Sequence, residues 1–377
     1  MKKTISYLTI LMFGLGLLSC GKTGSETEIR IGEYSSLTGT TATFGTSTHH
    51  GIVLATEEAN AAGGIMGKRI KLVTEDDQSK PEEAATAVTK LITRDDVKAV
   101  IGEVASSRSL AAAPICQDNK IPMVSPASTN PEVTRKGDYI FRICYIDPFQ
   151  GEILAKFAYN SLGIRKAAIL KDVKNDYSIG LAQFFEKVFT ELGGTVVATQ
   201  AYSEGDSDFK AQLTSIKGSE PEAIFLPGYY TEAALIVKQA RELNMNIPII
   251  GGDGWDSSKL LEIGGDAMNN TYYSTHYAAD DTSALVQNFV GKYRERYKET
   301  PDCMGALGYD AALLLFDAIK RAGTTDAAAL RDALAQTHDF VGVTGKITID
   351  PDRNARKSIV IIAVQDGQTR YKETVQP

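Results

Sequence analysis

Cysteine, tryptophan and histidine are all scarce here: four, one and four residues among 377. So few cysteines cannot staple a chain of this length, and its stability has to come from apolar cores. The histidines, His49, His50, His276 and His338, fall in no zinc or metalloprotease spacing, so no metal is expected. Basic residues are not in excess. The 40 lysines and arginines face 47 aspartates and glutamates, a net charge of -7, which argues against nucleic acid or an anionic membrane surface as partner. Catalytic motifs are missing too. No Gly-x-Ser-x-Gly elbow occurs. The stretch Gly63-Gly64-Ile65-Met66-Gly67-Lys68-Arg69 fails as a phosphate loop, with one intervening residue too few and Arg69 where Ser or Thr must meet magnesium. An enzyme is not the expected reading, and no cofactor or catalytic residue is assigned.

Long apolar runs are also absent, except at the N-terminus. Lys2 and Lys3 precede an apolar segment from Ile5 to Leu18, the pattern of a secretory leader and too short to span a bilayer comfortably. Its glycines, Gly14 and Gly16, are therefore no dinucleotide fingerprint. The leader ends in Leu17-Leu18-Ser19-Cys20-Gly21, which resembles a bacterial lipobox, where cleavage precedes a cysteine that carries the lipid. Residues 1–19 are accordingly expected to be a signal peptide and Cys20 a lipidation site. Residues 20–28 then form a polar tether on which the folded body sits outside the cytoplasm, joined to a membrane by its lipid alone. Cys116, Cys144 and Cys303 remain, an odd number. The sequence leaves a Cys116–Cys144 bridge open, beside the plainer reading of three buried free thiols.

What is present is a repeated alternation of strand and helix. Strands are expected at Ile29–Glu33, Arg69–Thr74, Val97–Glu103, Ile121–Ser125 and Tyr139–Ile143, with helices at Phe44–Ala62, Pro81–Arg94 and Ser107–Asn119 between them. The alternation then restarts, with strands from Lys166 to Gly251 and helices beginning near Asp147, Tyr177, Asp208 and Thr231. These strands are short, continuous apolar runs, as in parallel sheets covered on both faces. Two doubly wound, Rossmann-like α/β units in series follow. The last third has helices at Thr282–Lys298, Gly305–Ala322 and Asp326–Gln336 and three strands, too little for a third domain. The chain is therefore expected to return to the first lobe and then cross again. That gives lobe 1 as 29–146 plus 279–346 and lobe 2 as 147–278 plus 347–377, with crossings near 144–149, 276–281 and 344–350.

Several segments together resemble the leucine/isoleucine/valine-binding protein family, of the type I periplasmic-binding fold. They are Ser36-Leu37-Thr38-Gly39, Asn60-Ala61-Ala62-Gly63-Gly64-Ile65, Asp76-Asp77-Gln78-Ser79-Lys80-Pro81-Glu82, and Val124-Ser125-Pro126-Ala127-Ser128-Thr129-Asn130-Pro131, followed by Pro227-Gly228-Tyr229 and Gly251-Gly252-Asp253-Gly254. Each is weak alone; their order spans nearly the whole chain after residue 28. The resemblance implies two lobes joined by three crossover strands, closing like a flytrap on a branched-chain or similar aliphatic amino acid. It also implies a monomer that delivers to an ABC permease in the inner membrane.

By the same resemblance, Ala105, Ser106, Ala127 and Thr129 hold the ligand's carboxylate and ammonium from the first lobe. The backbone donors sit at a helix start, where the dipole favours an anion. Serine and threonine at such places are also ordinary helix caps. Asp253, after the apolar run Ile247–Ile250, is expected to pair with the ammonium from the second lobe; as an Asp-Gly pair it also fits a plain turn. Phe44, Tyr177 and Tyr229 are expected to line the side-chain end, and Trp255 to close its far wall, with core packing the alternative for each. The same fold also carries amides, urea and aromatic acids and serves in ligand-sensing proteins, so pocket shape rather than fold sets the ligand.

Overall fold

The structure, a computed structural model, describes residues 27–377. The leader, Cys20 and most of the tether lie outside the described residues. Glu28, expected as the last residue of the tether, already opens the first strand.

The first half runs β1 (Glu28–Ser35), α1 (Ala42–Ala61), β2 (Arg69–Asp76), α2 (Pro81–Thr93), β3 (Ala99–Ile101), α3 (Ser106–Asp118), β4 (Met123–Ser125), α4 (Glu132–Arg135) and β5 (Ile140–Arg142). The second runs α5 (Asp147–Lys156), extended by a π turn, then β6 (Lys166–Asp172), α6 (Asp176–Glu191), β7 (Thr195–Tyr202), α7 (Lys210–Gly218), β8 (Ala223–Phe225), α8 (Tyr230–Glu242), β9 (Ile249–Gly251), α9 (Ser258–Gly264) and β10 (Thr271–Thr275). The remainder is α10 (Ala284–Tyr297), α11 (Cys303–Ala322), α12 (Ala327–Ala335), β11 (Phe340–Gly342), β12 (Gly345–Ile349), β13 (Ala355–Arg356), β14 (Ile359–Gln365) and β15 (Gln368–Val375).

The first sheet has the order β2-β1-β3-β4-β5, all parallel. The second repeats that pattern in β7-β6-β8-β9-β10 and adds β14 and β15 antiparallel at the β10 edge. Both are doubly wound, with the change of direction between their first and third strands, where the carboxyl ends open a crevice. Every residue of β3, β4, β5, β8 and β9 is buried, as two covered faces require. The fold class is the one expected: two α/β lobes of the type I periplasmic-binding kind.

β10 was not among the expected strands. Its sequence, Thr-Tyr-Tyr-Ser-Thr, has no apolar run, yet it is central to the second sheet and mostly buried. The hydroxyls of its threonines and serine are satisfied internally, Thr271 donating to the Met268 carbonyl at 2.7 Å, Ser274 to Gln150 Oε1 at 3.0 Å and Thr275 to Asp256 Oδ2. Polar strands can be buried when every hydroxyl finds an acceptor.

From β10 the chain goes to α10 and α11, and α11 packs along α1 rather than on the second sheet. The approach is close: a Cβ on Gly51 would lie 2.0 Å from the Gly305 carbonyl oxygen, and one on Gly308 would lie 2.4 Å from that of Thr48. A small sheet of order β11-β12-β13 follows, then β14. Cys116, Cys144 and Cys303 are buried free thiols, so the Cys116–Cys144 bridge is absent.

Candidate functional site

The loops after β3 and β4 are tied together by one buried serine. The Ser128 hydroxyl lies 2.9 Å from the Glu103 carbonyl oxygen, 3.0 Å from that of Val104 and 2.8 Å from Ser109 Oγ. The Ser106 hydroxyl accepts from the Asn130 backbone N–H at 3.2 Å. Beneath them the buried Arg142 guanidinium donates to the Ser128 carbonyl. Ala105, Ser106, Ala127 and Thr129 are thus gathered at the carboxyl end of the first sheet, all buried.

Ser106 is the first residue of α3, and its N-cap, Ala105, has no side chain to cap the first-turn N–H groups, while the Glu103 carboxylate accepts the N–H of Ala105 itself. The serine is therefore not an ordinary cap, and the positive end of a 13-residue helix is left for another acceptor. Thr129 is no cap either: α4 begins at Glu132 with Pro131 before it. The Thr129 hydroxyl, fully buried, has no hydrogen-bond partner.

On the facing lobe, Asp253 opens a short 3-10 turn after β9 and is buried. Its carboxylate is held from both sides. Gln150 Nε2 donates to Oδ1 at 3.0 Å, and His276 Nε2 lies 3.0 Å from Oδ2. Gln150 Oε1 also accepts the Asp253 backbone N–H at 3.0 Å, which fixes the turn. Burial pushes the imidazole of His276 down to about 4, against the pull of Asp253, so it is neutral and its Nε2 carries the proton. A carboxylate has room for about four donors, so Asp253 keeps acceptor capacity.

The aromatic residues converge. The Tyr177 and Tyr229 rings stack with centroids 5.6 Å apart, and Phe44 from α1 meets Tyr229 edge-on at 5.5 Å and Tyr230 at 4.8 Å. Tyr177 OH accepts from the Gly254 N–H at 3.2 Å. A Cβ on Gly254 would come within 2.9 Å of the Tyr229 ring, so this turn needs glycine. Trp255 serves elsewhere. It packs on Gly251 and near Tyr273 in the core of the second sheet, and its indole N–H donates to the Leu226 carbonyl at 3.1 Å, leaving no polar atom for a ligand.

The carboxyl ends of the two sheets touch. Asn130 Nδ2 donates to the Asp176 carbonyl at 3.0 Å, the Asp176 N–H donates to Ser107 Oγ at 3.1 Å, and Tyr230 OH donates to the Thr40 carbonyl at 3.4 Å. This is a closed arrangement.

Three residues in it escaped the sequence reading: Gln150, His276 and Asp147. Asp147, the first residue of α5, is fully buried and neither carboxyl oxygen has a partner. Its N–H donates to the Thr129 carbonyl at 3.0 Å, which sets it beside the unpartnered hydroxyl. Burial pushes its carboxyl up to about 8; the Thr129 hydroxyl pulls it down, Asp253 pushes it further up, and Arg142 pulls down again. An acidic residue at a helix start reads as a favourable cap. Its spacing from Gln150, one helical turn on, was the available signal.

Comparison with known proteins gives a consistent answer. The profile of a family of periplasmic binding proteins matches residues 28–369. The Leu/Ile/Val-binding protein BraC3 of Rhizobium johnstonii is 30% identical over 86% of this chain and 88% of its own. The crystal structure of a leucine-binding protein from Thermotoga maritima superposes with a TM-score of 0.88 at 41% identity, covering 93% of this chain and 99% of that one. The branched-chain amino acid binding protein of Streptococcus pneumoniae, solved with isoleucine, also gives 0.88, at 35% identity over 93% and 100%.

Proposed function

Because the chain belongs to the periplasmic binding protein family, whose members are solute-binding proteins rather than enzymes, we propose that it captures an aliphatic amino acid, leucine, isoleucine or valine in type, for an ABC importer. The observation that carries this is complementarity across the cleft: an uncapped helix start with Ser106 and Thr129 on one side, and the carboxyl groups of Asp253 and Asp147 on the other. A zwitterion needs both halves, and neither lobe supplies both.

In this reading the first-turn N–H groups of α3, with Ser106 and Thr129, take the carboxylate, and the Ala127 carbonyl accepts from the ammonium. Asp253 pairs with that ammonium, oriented by Gln150 and His276, and Asp147 with the Thr129 hydroxyl meets its remaining N–H. Ala105, Phe44, Tyr177 and Tyr229 enclose the side chain. Burying a leucine-sized side chain contributes roughly 1.5–3 kcal/mol, and the charged groups reject molecules that lack them. Binding and closure are one event, because only closure brings the two sides to a single ligand.

The lobes in this reading are 29–146 with 279–346, and 147–278 with 347–377. The monomer works outside the cytoplasm, tethered through a lipid on Cys20 after removal of residues 1–19, and its closed form is what the permease recognises. Among the described residues no helix is long and apolar enough to cross a membrane. A thermal-shift panel of amino acids, amides and aromatic acids on the chain lacking its leader tests the substrate. Leucine at about a hundredfold excess over its dissociation constant should add about 2.7 kcal/mol of apparent stability. A shift given only by amides or aromatic acids would replace the substrate class.

A further inference from the structure

We infer that Glu204 is the positioning residue that holds the cleft shut on a captured solute, by engaging Thr40 and Arg108 of the first lobe across the cleft mouth. The inference rests on the two-lobed capture reading and adds to it a determinant of retention outside the ligand shell.

Glu204 lies in the loop after β7. Its Oε1 accepts the Thr40 hydroxyl proton and lies 3.7 Å from Arg108 Nη2. Among the described residues this is the one ion pair joining the two lobes as divided above. The contacts of Asn130, Ser107 and Tyr230 across the cleft each have a backbone group on one side and an uncharged side chain on the other.

Arg108 is built as a fixed charge on the first lobe. It lies in the first turn of α3 with its side chain 4% exposed, donates from Nη2 to the Ser79 carbonyl at 2.9 Å, and sits 3.7 Å from the buried Glu103 carboxylate. Its Nε and Nη1 have no hydrogen-bond partner, so it is anchored but not saturated. Glu204 supplies the second negative charge only when the lobes meet.

The position is peripheral but coupled to the site. A cavity of about 640 Å³ at the mouth is lined by Thr40, Ser79, Arg108 and Glu204 together with Ala105 and Tyr229 of the candidate site. A contact made only in the closed state favours that state by its full worth and has to break before the ligand leaves. It therefore acts on release, not on encounter. Being partly solvated, it is also open to screening by salt.

Glu204→Gln removes the charge and keeps an acceptor for Thr40. With leucine as probe in stopped-flow binding, release from the variant should be about tenfold faster and association nearly unchanged. Raising salt from about 0.05 to about 0.5 M should speed release from the wild type and leave the variant indifferent. The ligand-free melting temperature should not move. Equal release rates and equal salt responses would overturn the inference. A second arm needs no ligand: Thr40→Cys with Glu204→Cys should give an intramolecular disulfide under mild oxidation, seen as a mobility shift without reductant. Failure to cross-link would also overturn the latch. A wild type that ignores leucine while the pair cross-links would sink the substrate reading and support the latch.

Discussion

Asp147 and Thr129 lie side by side, fully buried, and no group beyond this pair satisfies their side-chain polar atoms. Leaving such groups unpaired costs about 1–3 kcal/mol each, so a ligand that satisfies them recovers that cost on binding. With its carboxyl pushed up to about 8 by burial, Asp147 holds a proton at neutral pH in the closed, ligand-free arrangement. An ammonium beside it favours the ionised form, so leucine binding should release a proton. Calorimetry at pH 7 in buffers of different ionisation enthalpy should show the release in the wild type and lose it in Asp147→Asn; equal buffer dependence would count against the assignment. Asp253→Ala removes the ammonium's partner and frees Gln150 and His276 from their anchor. Leucine should bind at least about a hundredfold more weakly, and its thermal shift should vanish. At this scale Ser106, Thr129, Asp253 and the three aromatic rings were named from the family resemblance. Gln150 and His276 were not, because what they meet, Asp253 after β9 and Ser274 in β10, lies more than a hundred residues from Gln150 along the chain; Asp147 was not, because an acid at a helix start reads as a plain cap.

Among the elements, those with an apolar signature were readable to within a few residues, and of those without one most were missed, although the polar edge strand β15 was expected. β10 shows why. Hydropathy registers the side chain and not the acceptor that satisfies it, so a buried Thr-Tyr-Tyr-Ser-Thr strand looks like a loop. α9, β11 and β13 are short and were missed for want of a period to read. The α1–α11 contact was legible only as the expectation that the chain returns. Its closeness depends on Gly51 and Gly308, where any side chain meets backbone on the opposite helix. Gly51→Val should therefore force the helices apart and lower stability by about 3 kcal/mol or more, read as a shifted denaturant midpoint. A variant that melts like the wild type would show that the helices can slide.

For the whole molecule, several buried acids set how stability depends on pH. Asp77 and Asp147 are pushed up to about 8 and Asp302 to about 7, in each case chiefly by burial. The folded state then binds more protons than the unfolded one above the ordinary carboxylate range. The stabilisation these groups give is complete below about pH 4 and is lost progressively as pH rises to 7 and 8. His276, pushed down to about 4, acts oppositely: its contribution is present above 6.5 and fades as pH falls towards 4. Ligand-free protein should therefore be more stable at pH 6.5 than at pH 8, by about 1–3 kcal/mol in calorimetry, and the reverse order would contradict these burials. The division into two lobes was legible because the strand–helix alternation restarts; which face of each lobe meets the other was not, since that depends on contacts such as Asn130 with Asp176. The return of α11 to α1 has a consequence for biogenesis. The first half lacks a wall until residue 322 has been made, and the second lacks β14 and β15 until the very end. A chain laid out this way completes neither half until most of it has been made.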